Sequence, residues 1–335
     1  MTSSLPTETA VPPTAAVDME WPPPSFLTPP PPLVGQDGVR RFDAVTYART
    51  PGYRPRLLDA QVPASAEPVP AVVWIHGGGW LDGDRRFPPP TVPVELLYGM
   101  ILDAGLAVVS IDYRHSLEAP FPAQLHDVKA AIRYVRRFAS DLGIDQDRIG
   151  VWGESAGGHL AALAGLVRAD GTDAATALEG VEGVRDEDSA VRAVVDWYGV
   201  SDLGSLLSHA LPPSPPGPEY PNPFTALLGG TSAELPELAR VASPVTYAGP
   251  ATPPPFLLIH GTADGLVPYS QSEVLAESLE RAGGQVTLQP VEGADHIFLG
   301  TPDVTPIVSD SVTFLARHLG ARAGTHEPGG TTRHR

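Results

Sequence analysis

The residues with the clearest chemical potential are those at positions 153–157, which read Gly-Glu-Ser-Ala-Gly. A largely apolar run at 148–152 precedes them, and a run of small residues that favours a helix follows from Gly158. When Gly-x-Ser-x-Gly joins a strand to a helix, only small residues fit around the turn, and the serine hydroxyl projects from the carboxyl end of the strand. We therefore predict that Ser155 is a nucleophile. A helix N-cap is the alternative role for a serine at this position.

A serine nucleophile needs a base, and an acid that orients the base. His296 lies on a loop after the last predicted strand, and Asp264 follows the strand before it. The chain order is then serine, acid, histidine, which is an established order for this motif. We predict that His296 is the base and Asp264 the acid. The alternative acids are Asp196, at the end of another predicted strand, and Asp295, beside the histidine.

Three consecutive glycines lie in the segment 76–80, His-Gly-Gly-Gly-Trp, which follows an apolar strand. Glycine lets backbone N–H groups point into a cavity where a Cβ atom would clash. We predict an oxyanion hole formed by the N–H groups of Gly78, Gly79 and Ala156. His76 is expected to brace this loop rather than to act as a base.

Aromatic residues beside these motifs are the candidates for substrate binding. Trp80 follows the glycines, and Trp197 and Tyr198 end a predicted strand. Each is equally suited to a position in the core, since aromatic side chains bury large apolar areas. An ion pair between Asp84 and Arg85 is expected to brace the glycine loop, a solvated turn being the alternative.

Apolar runs and amphipathic stretches alternate along the chain. Several runs are apolar throughout, as expected for strands buried on both faces of a parallel sheet. The alternation predicts an α/β fold, a mostly parallel eight-stranded sheet with helices on both faces. The predicted strands are 44–47, 57–62, 71–76, 106–113, 148–152, 191–198, 256–260 and 286–290, and the predicted helices are 122–142, 156–167, 270–282 and 305–319.

Composition divides the chain into an arm, a domain and a tail. Residues 1–38 are rich in proline and are predicted to form a flexible arm, which Trp21 and Phe26 would attach to the body. Residues 39–320 are predicted to form the domain, and residues 321–335 a disordered tail. Inside the domain, 170–188 is expected to be an exposed acidic excursion. The segment 202–240 is expected to be a small lid insertion, with a plain surface loop as the alternative.

The acidic composition limits the partners of the protein. The 335 residues include 22 Lys and Arg against 39 Asp and Glu, a net charge of −17, which argues against nucleic acid or an anionic membrane as partner. The absence of cysteine excludes disulfides, thiolate catalysis and Cys-ligated zinc. Neither a secretory signal nor an apolar run of about 18 residues is visible, so we expect a cytoplasmic protein without membrane binding.

Five motifs together resemble those of the hormone-sensitive-lipase-like and BD-FAE-type esterases of the α/β-hydrolase superfamily: residues 76–80, 112–114, 121–124, 153–157 and 260–264. The likeness extends from about Ala71 to Leu319. It implies the α/β-hydrolase fold and a serine esterase without cofactor that acts mostly on short acyl esters, some members acting on aryl or feruloyl esters. Lipase-like members usually have Asp before the nucleophile and many have an amino-terminal helical cap. Glu154 and the absence of a cap pattern favour the BD-FAE-type branch.

These observations predict a serine carboxylesterase that hydrolyses short-chain or aryl esters through an acyl-enzyme on Ser155. We expect no metal and no cofactor, a small-molecule ester as the partner, and a monomer or homodimer. An amide or formamide hydrolase or a tailoring deacetylase would use the same triad. A prolyl-oligopeptidase-like peptidase is disfavoured because the 75 residues before His76 are too few for a gating propeller. A non-catalytic binding protein is disfavoured because all three triad residues are present.

Overall fold

The computed structural model describes residues 23–168, 173–208, 221–249 and 252–321. Three predicted features lie wholly or largely outside these residues: the first part of the arm with Trp21, the proline-rich part of the insertion, and the carboxyl-terminal tail beyond residue 321. None of the helices in the described ranges combines the length and the apolar character that crossing a bilayer requires.

Nine strands form one sheet in the described part of the chain. They are β1 (Leu33–Val34), β2 (Arg40–Ala48), β3 (Arg56–Val62), β4 (Val69–Ile75), β5 (Ala107–Ile111), β6 (Ile144–Glu154), β7 (Val194–Trp197), β8 (Phe256–Gly261) and β9 (Val286–Val291). Their order in the sheet is β1-β2-β3-β5-β4-β6-β7-β8-β9. The strands from β5 to β9 pair in parallel, whereas β1, β2 and β3 add to one edge in antiparallel pairs.

Helices cover both faces of this sheet. They are α1 (Val94–Asp103), α2 (Ala123–Arg137), α3 (Ala139–Leu142), α4 (Ala156–Leu166), α5 (Asp173–Glu179), α6 (Pro223–Leu228), α7 (Pro236–Val241), α8 (Ser270–Arg281) and α9 (Thr305–Leu319). The buried side chains of α2, α4 and α8 belong to the core on one face, and those of α1 and α9 to the core on the other. Every residue of β4 and of β8 is therefore buried, which explains why both strands are largely apolar.

The predicted α/β architecture is confirmed, with one correction to the number of strands. The sequence indicated eight, and the ninth is β1, which pairs with β2 only through Leu33 with Arg41 and Val34 with Arg40. Both side chains of β1 are exposed. A two-residue edge strand without a buried face leaves no alternating apolar pattern, so the sequence could not indicate it.

The second half of the proline-rich arm packs against the domain, which corrects the boundary placed at residue 38. The ring of Phe26 lies 6.3 Å from that of Tyr134 and 5.9 Å from that of Phe138, measured between centroids. The Leu27 N–H donates to the carbonyl of Thr46 at 2.9 Å. Proline-rich sequence lacks backbone donors, but these apolar and hydrogen-bonding residues between the prolines attach the segment to the body.

The acidic segment after α4 is anchored rather than freely exposed in its described part. The carboxylate of Glu179 accepts hydrogen bonds from Lys129 at 2.9 Å and from Arg133 at 2.7 Å. Glu182 accepts one from Arg114 at 3.1 Å. The acidic residues of this segment thus pair with buried cations, including those of α2, which a count of acidic residues could not reveal.

The insertion 202–240 contains short helices in its described part. A 3₁₀ helix spans Ser205–Ser208, and α6 and α7 follow further along. At the start of α6, the Asn222 side chain accepts hydrogen bonds from the N–H groups of Phe224 at 3.0 Å and Thr225 at 3.1 Å. Gly229, with φ of 76°, ends it. This N-cap and left-handed glycine fix both ends of α6.

Candidate active site

Three loops at one edge of the sheet carry the predicted triad. Ser155 follows β6, Asp264 follows β8, and His296 follows β9. The strands β6, β7, β8 and β9 are parallel neighbours, so their carboxyl ends meet at the same edge. Residues far apart in sequence are thereby brought together, as expected of ligand sites in open α/β sheets.

A continuous hydrogen-bonded chain joins the three side chains. The distance from Ser155 Oγ to His296 Nε2 is 2.9 Å, and that from His296 Nδ1 to Asp264 Oδ2 is 2.7 Å. An ionised carboxylate only accepts, so Nδ1 carries the proton and Nε2 of the neutral ring accepts from the serine hydroxyl. This is the tautomer in which an imidazole can take a proton from serine.

Asp264 is held in its charged form. Burial raises its pKa, but hydrogen bonds from the His260 and His296 rings and from the Val267 N–H outweigh burial and bring the pKa below the ordinary range of aspartate. Its second oxygen accepts the N–H groups of Leu266 at 2.9 Å and Val267 at 2.8 Å. The carboxylate is therefore both ionised and fixed in direction toward the histidine.

The turn at the nucleophile is strained and needs glycine on both sides. Ser155 has φ of 53° and ψ of −118°, a backbone conformation that residues other than glycine rarely adopt. A Cβ atom on Gly153 would lie 2.0 Å from the carbonyl oxygen of Gly157, and one on Gly157 would lie 2.0 Å from that of Ile75. The Gly-x-Ser-x-Gly spacing is thus a steric requirement of this turn.

The glycine loop after β4 presents free backbone donors. Gly78 and Gly79 have φ of 93° and 61°, and the carbonyl of Gly78 accepts the N–H groups of Leu81 and Asp82 to close the turn. Among the described residues, no hydrogen bond is donated by the N–H of Gly78, of Gly79 or of Ala156. These three N–H groups, which we predict from the sequence to form an oxyanion hole, are thus available to a ligand.

Glu154 links the nucleophile turn to the glycine loop. Its Oε1 accepts the N–H of Gly77 at 2.6 Å, and a Cβ atom on Gly77 would lie 2.3 Å from the same oxygen. Burial raises the pKa of Glu154. From the sequence, Glu154 was notable only as a difference from lipase-like esterases. A carboxylate in a motif of small residues could have indicated this contact, because a buried carboxylate requires a hydrogen-bond partner.

His76 and Tyr113 support the glycine loop after β4. Their rings stack with centroids 4.4 Å apart, and the Tyr113 hydroxyl lies 3.0 Å from the His76 carbonyl and 3.1 Å from that of Gly77. Burial lowers the pKa of His76 to about 4, so its ring is neutral near pH 7. These contacts agree with the expected bracing role of His76.

The three aromatic candidates lie in different surroundings. Trp197 is fully buried between Trp74 and Trp152, and its indole N–H donates to Ser311 at 3.0 Å, so it is a core residue rather than a substrate contact. It belongs to β7 and points toward α9, away from the site. Tyr198, the next residue, lies with its ring centroid 4.9 Å from that of His296.

Trp80 lies at the site but is almost completely buried, with 2% of its surface exposed. Its ring packs edge-on against His159 at 5.2 Å and against Phe224 at 6.0 Å, measured between centroids. Trp80 therefore supports the residues beside the glycine loop and exposes little surface of its own.

The expected ion pair between Asp84 and Arg85 is replaced by other pairings. Arg85 pairs with Asp112 at 3.0 Å and with Asp59 at 2.8 Å, while Asp84 pairs with Arg86 at 2.6 Å, so the expected Asp84–Arg85 ion pair is wrong. Adjacent side chains on an extended turn point in different directions, which separates these two partners.

The two alternative acids do not take the place of Asp264 in the hydrogen-bonded chain. Asp295 Oδ1 accepts the N–H groups of His296 at 2.7 Å and Gly265 at 2.9 Å, joining the two loops. Asp196 is fully buried, and one of its oxygens accepts the N–H of Gly199 at 2.9 Å. Burial raises the pKa of Asp196 to about 7.

We predict that Asp196→Asn changes stability in a pH-dependent way. The folded Asp196 keeps its proton up to about pH 7, whereas the unfolded chain loses it near 3.8, so folding weakens as pH rises between these values and levels off above. Asparagine does not ionise, so the variant does not lose stability in this way as pH rises. The unfolding free energy of the variant relative to wild type should rise by up to about 4 kcal/mol over this window. Urea unfolding at pH 4, 5, 6, 7 and 8 measures it, and a difference that does not vary with pH would contradict the expectation.

The parallel sheet and the serine turn between β6 and α4 define the class of protein, an α/β-hydrolase. The profile of the BD-FAE family matches residues 58–279, and the chain belongs to this family. This confirms the resemblance found in the sequence motifs.

Curated relatives are esterases that extend beyond this chain. Esterase LipQ of Mycobacterium tuberculosis is 33% identical over 300 residues, 85% of this chain and 66% of that protein. Isoprenylcysteine alpha-carbonyl methylesterase ICME of Arabidopsis thaliana is 26% identical over 269 residues, 79% of this chain and 58% of that protein. The chain thus spans less than two thirds of the length of these relatives.

Solved structures of esterases share the fold. A truncated form of a carbohydrate esterase from gut microbiota is 30% identical with a TM-score of 0.71, and the match covers 86% of this chain and 99% of that one. Propionate-bound esterase 2 of Thermogutta terrifontis is 27% identical with a TM-score of 0.60, covering 82% of this chain and 92% of that one. The fold is therefore shared over most of this chain and nearly all of each esterase.

Proposed function

We propose that the protein is a serine carboxylesterase that hydrolyses short-chain or aryl carboxylic esters through an acyl-enzyme on Ser155. The observation that carries this proposal is the continuous hydrogen-bonded chain from Ser155 through His296 to Asp264. The similarity to esterases supports the same reaction class.

Acylation begins with proton transfer from Ser155 to Nε2 of His296 as the serine oxygen attacks the ester carbonyl. Asp264 stabilises the imidazolium that forms. The N–H groups of Gly78, Gly79 and Ala156 stabilise the oxyanion, and because they are preorganised no reorganisation is required as charge develops. His296 then gives its proton to the leaving alcohol oxygen, and the acyl group remains on the serine.

Deacylation repeats the sequence with water as the nucleophile. His296 takes a proton from the water as its oxygen attacks the acyl carbon, and the same donors stabilise the second oxyanion. The bond from the acyl carbon to Ser155 Oγ then breaks, His296 returns the proton to that oxygen, and the carboxylic acid is released. The serine hydroxyl is thereby regenerated with its hydrogen bond to the imidazole.

Matched ester and anilide substrates test this proposal. The triad alone serves both bond types, but the similarity to esterases favours the ester. We expect rapid hydrolysis of p-nitrophenyl acetate, with p-nitroacetanilide cleaved slower by several orders of magnitude. Release of the nitro-aromatic product, followed by absorbance, measures both. Anilide cleavage at a rate comparable with the ester would instead favour an amide hydrolase.

A further inference from the structure

The helix α6 of the insertion packs directly on the loop that carries the oxyanion donors. A Cβ atom on Gly79 would lie 3.2 Å from the Cβ of Pro223, so these residues are in contact. The ring of Phe224 packs on Trp80, and the N–H of Phe121 donates to the carbonyl of Leu227 at 2.8 Å. The described end of the insertion thus forms one wall of the candidate site.

The order of the strands assigns this wall to one side of the nucleophile. In the sheet, β4 lies on one side of β6, and β7, β8 and β9 lie on the other. Gly79 follows β4, whereas His296 follows β9. Ser155, after β6, therefore lies between the imidazole on one side and the glycine loop with α6 on the other.

The stereochemistry of the tetrahedral intermediate then decides which part of an ester faces α6. The reacting carbon carries the Ser155 oxygen, the oxyanion, the leaving oxygen and the acyl chain. The leaving oxygen must be near Nε2 of His296 to receive its proton, and the oxyanion must face the free N–H groups. The acyl chain takes the remaining direction, away from the imidazole and beside the oxyanion, on the side where the glycine loop meets α6.

The described residues on that side form an aromatic cluster. Trp80 is nearly buried and packs against both Phe224 and His159. The ring of Phe121 lies 6.5 Å from that of His159. Burial lowers the pKa of His159 to about 4, and its Nε2–H donates to the carbonyl of Ala242 at 2.7 Å. A neutral aromatic wall suits a short apolar chain and excludes a charged one.

We propose that Phe224, supported by Trp80, ends the acyl pocket and limits the substrates to esters of short, uncharged acyl groups such as acetyl and propionyl. This inference rests on the proposed esterase function. It assigns the described end of the insertion to acyl selection, whereas the leaving alcohol lies on the His296 side. Phe224 is therefore a specificity-determining residue.

The test compares Phe224→Ala with wild type on two substrate series. One series varies the acyl group, with p-nitrophenyl acetate, butyrate, hexanoate and octanoate. The other keeps the acetyl group and varies the alcohol, with phenyl, naphthyl and benzyl acetate. We expect the ratio of kcat/KM for hexanoate to that for acetate to rise at least about tenfold in the variant, since a few methylenes gain space. The order of the alcohol series should stay as in wild type.

Phe314→Ala is the matched control. Phe314 is also half-buried and packs on His318 of α9, far from α6 in the fold. This variant should keep the wild-type profile in both series. If Phe224→Ala does not fold, as judged by circular dichroism and thermal melting, Phe224→Leu should give a smaller shift in the same direction.

The outcomes separate this inference from the proposed function. Wild-type hydrolysis of short esters with an unchanged acyl profile in the folded Phe224 variant overturns the inference alone. A changed order in the alcohol series with an unchanged acyl series also overturns the inference. An equal shift of the hexanoate-to-acetate ratio in Phe314→Ala overturns it as well. A folded wild type that hydrolyses no ester overturns the proposed function, and the inference with it.

Discussion

Ser155→Ala is expected to lower kcat for p-nitrophenyl acetate by about 10⁴- to 10⁶-fold while leaving the protein folded. The variant loses the oxygen that attacks the ester and with it the acyl-enzyme. The alanine fits, because the turn already accommodates a Cβ atom at this position with φ of 53°. Steady-state kinetics with a melting curve for each protein measure the effect.

Ser201→Ala is the matched control for this variant. Ser201 is a buried serine just beyond β7, and its hydroxyl makes no hydrogen bond within the described residues. Its replacement should leave kcat near the wild-type value. Ester turnover that survives in a folded Ser155→Ala protein, free of wild-type contamination, would rule out Ser155 as the nucleophile.

Asp264→Asn is expected to lower kcat by about 10⁴-fold. An asparagine amide can donate a hydrogen bond to Nδ1, which would favour the tautomer with the proton on Nε2. That tautomer cannot accept the proton of Ser155. The loss should appear mainly in kcat, since Asp264 contacts the histidine ring and loop N–H groups rather than the substrate.

Asp196→Asn provides the comparison, because it makes the same change at another buried aspartate near the same edge of the sheet. We expect it to retain near wild-type kcat below pH 7, since its described hydrogen bond goes to Gly199 rather than to the imidazole. If Asp196→Asn lost activity and Asp264→Asn kept it, the acid of the triad would be Asp196 instead.

The proximity of the three proposed triad residues was predictable because it depends on local sequence patterns. Ser155 is set by a strand, two glycines and a helix, and Asp264 and His296 by the loops that follow apolar runs. The carboxyl ends of parallel strands lie at the same edge of a sheet, so the loops that follow them meet there. The sequence order of the elements was therefore sufficient to bring these residues near one another.

Side-chain direction and long-range pairing were not predictable from the same patterns. Trp197 ends a strand beside the site, but it faces the α9 side, and alternation in a four-residue strand is too short to indicate this. Arg85 pairs with Asp59, which lies in β3, and with Asp112, which directly follows β5. Such contacts depend on the order of strands in the sheet.

The contact between α6 and the glycine loop shows the same limit. Pro223 and Gly79 are separated by well over a hundred residues and meet only because the insertion returns across the β4 side of the sheet. The sequence indicated an insertion near the site, but not which side of the nucleophile it covers. That side decides whether the segment selects the acyl or the alcohol part of a substrate.

Trapping of the acyl-enzyme tests the role of Ser155 as nucleophile most directly. Wild-type protein is mixed with excess p-nitrophenyl acetate, quenched in acid within milliseconds, digested and mapped by mass spectrometry. We expect an acetyl group on the peptide that contains Ser155, assigned to the serine by fragmentation, and no such peptide from Ser155→Ala. An enzyme that turns over the ester while its acetyl group appears on another residue would contradict the proposed mechanism.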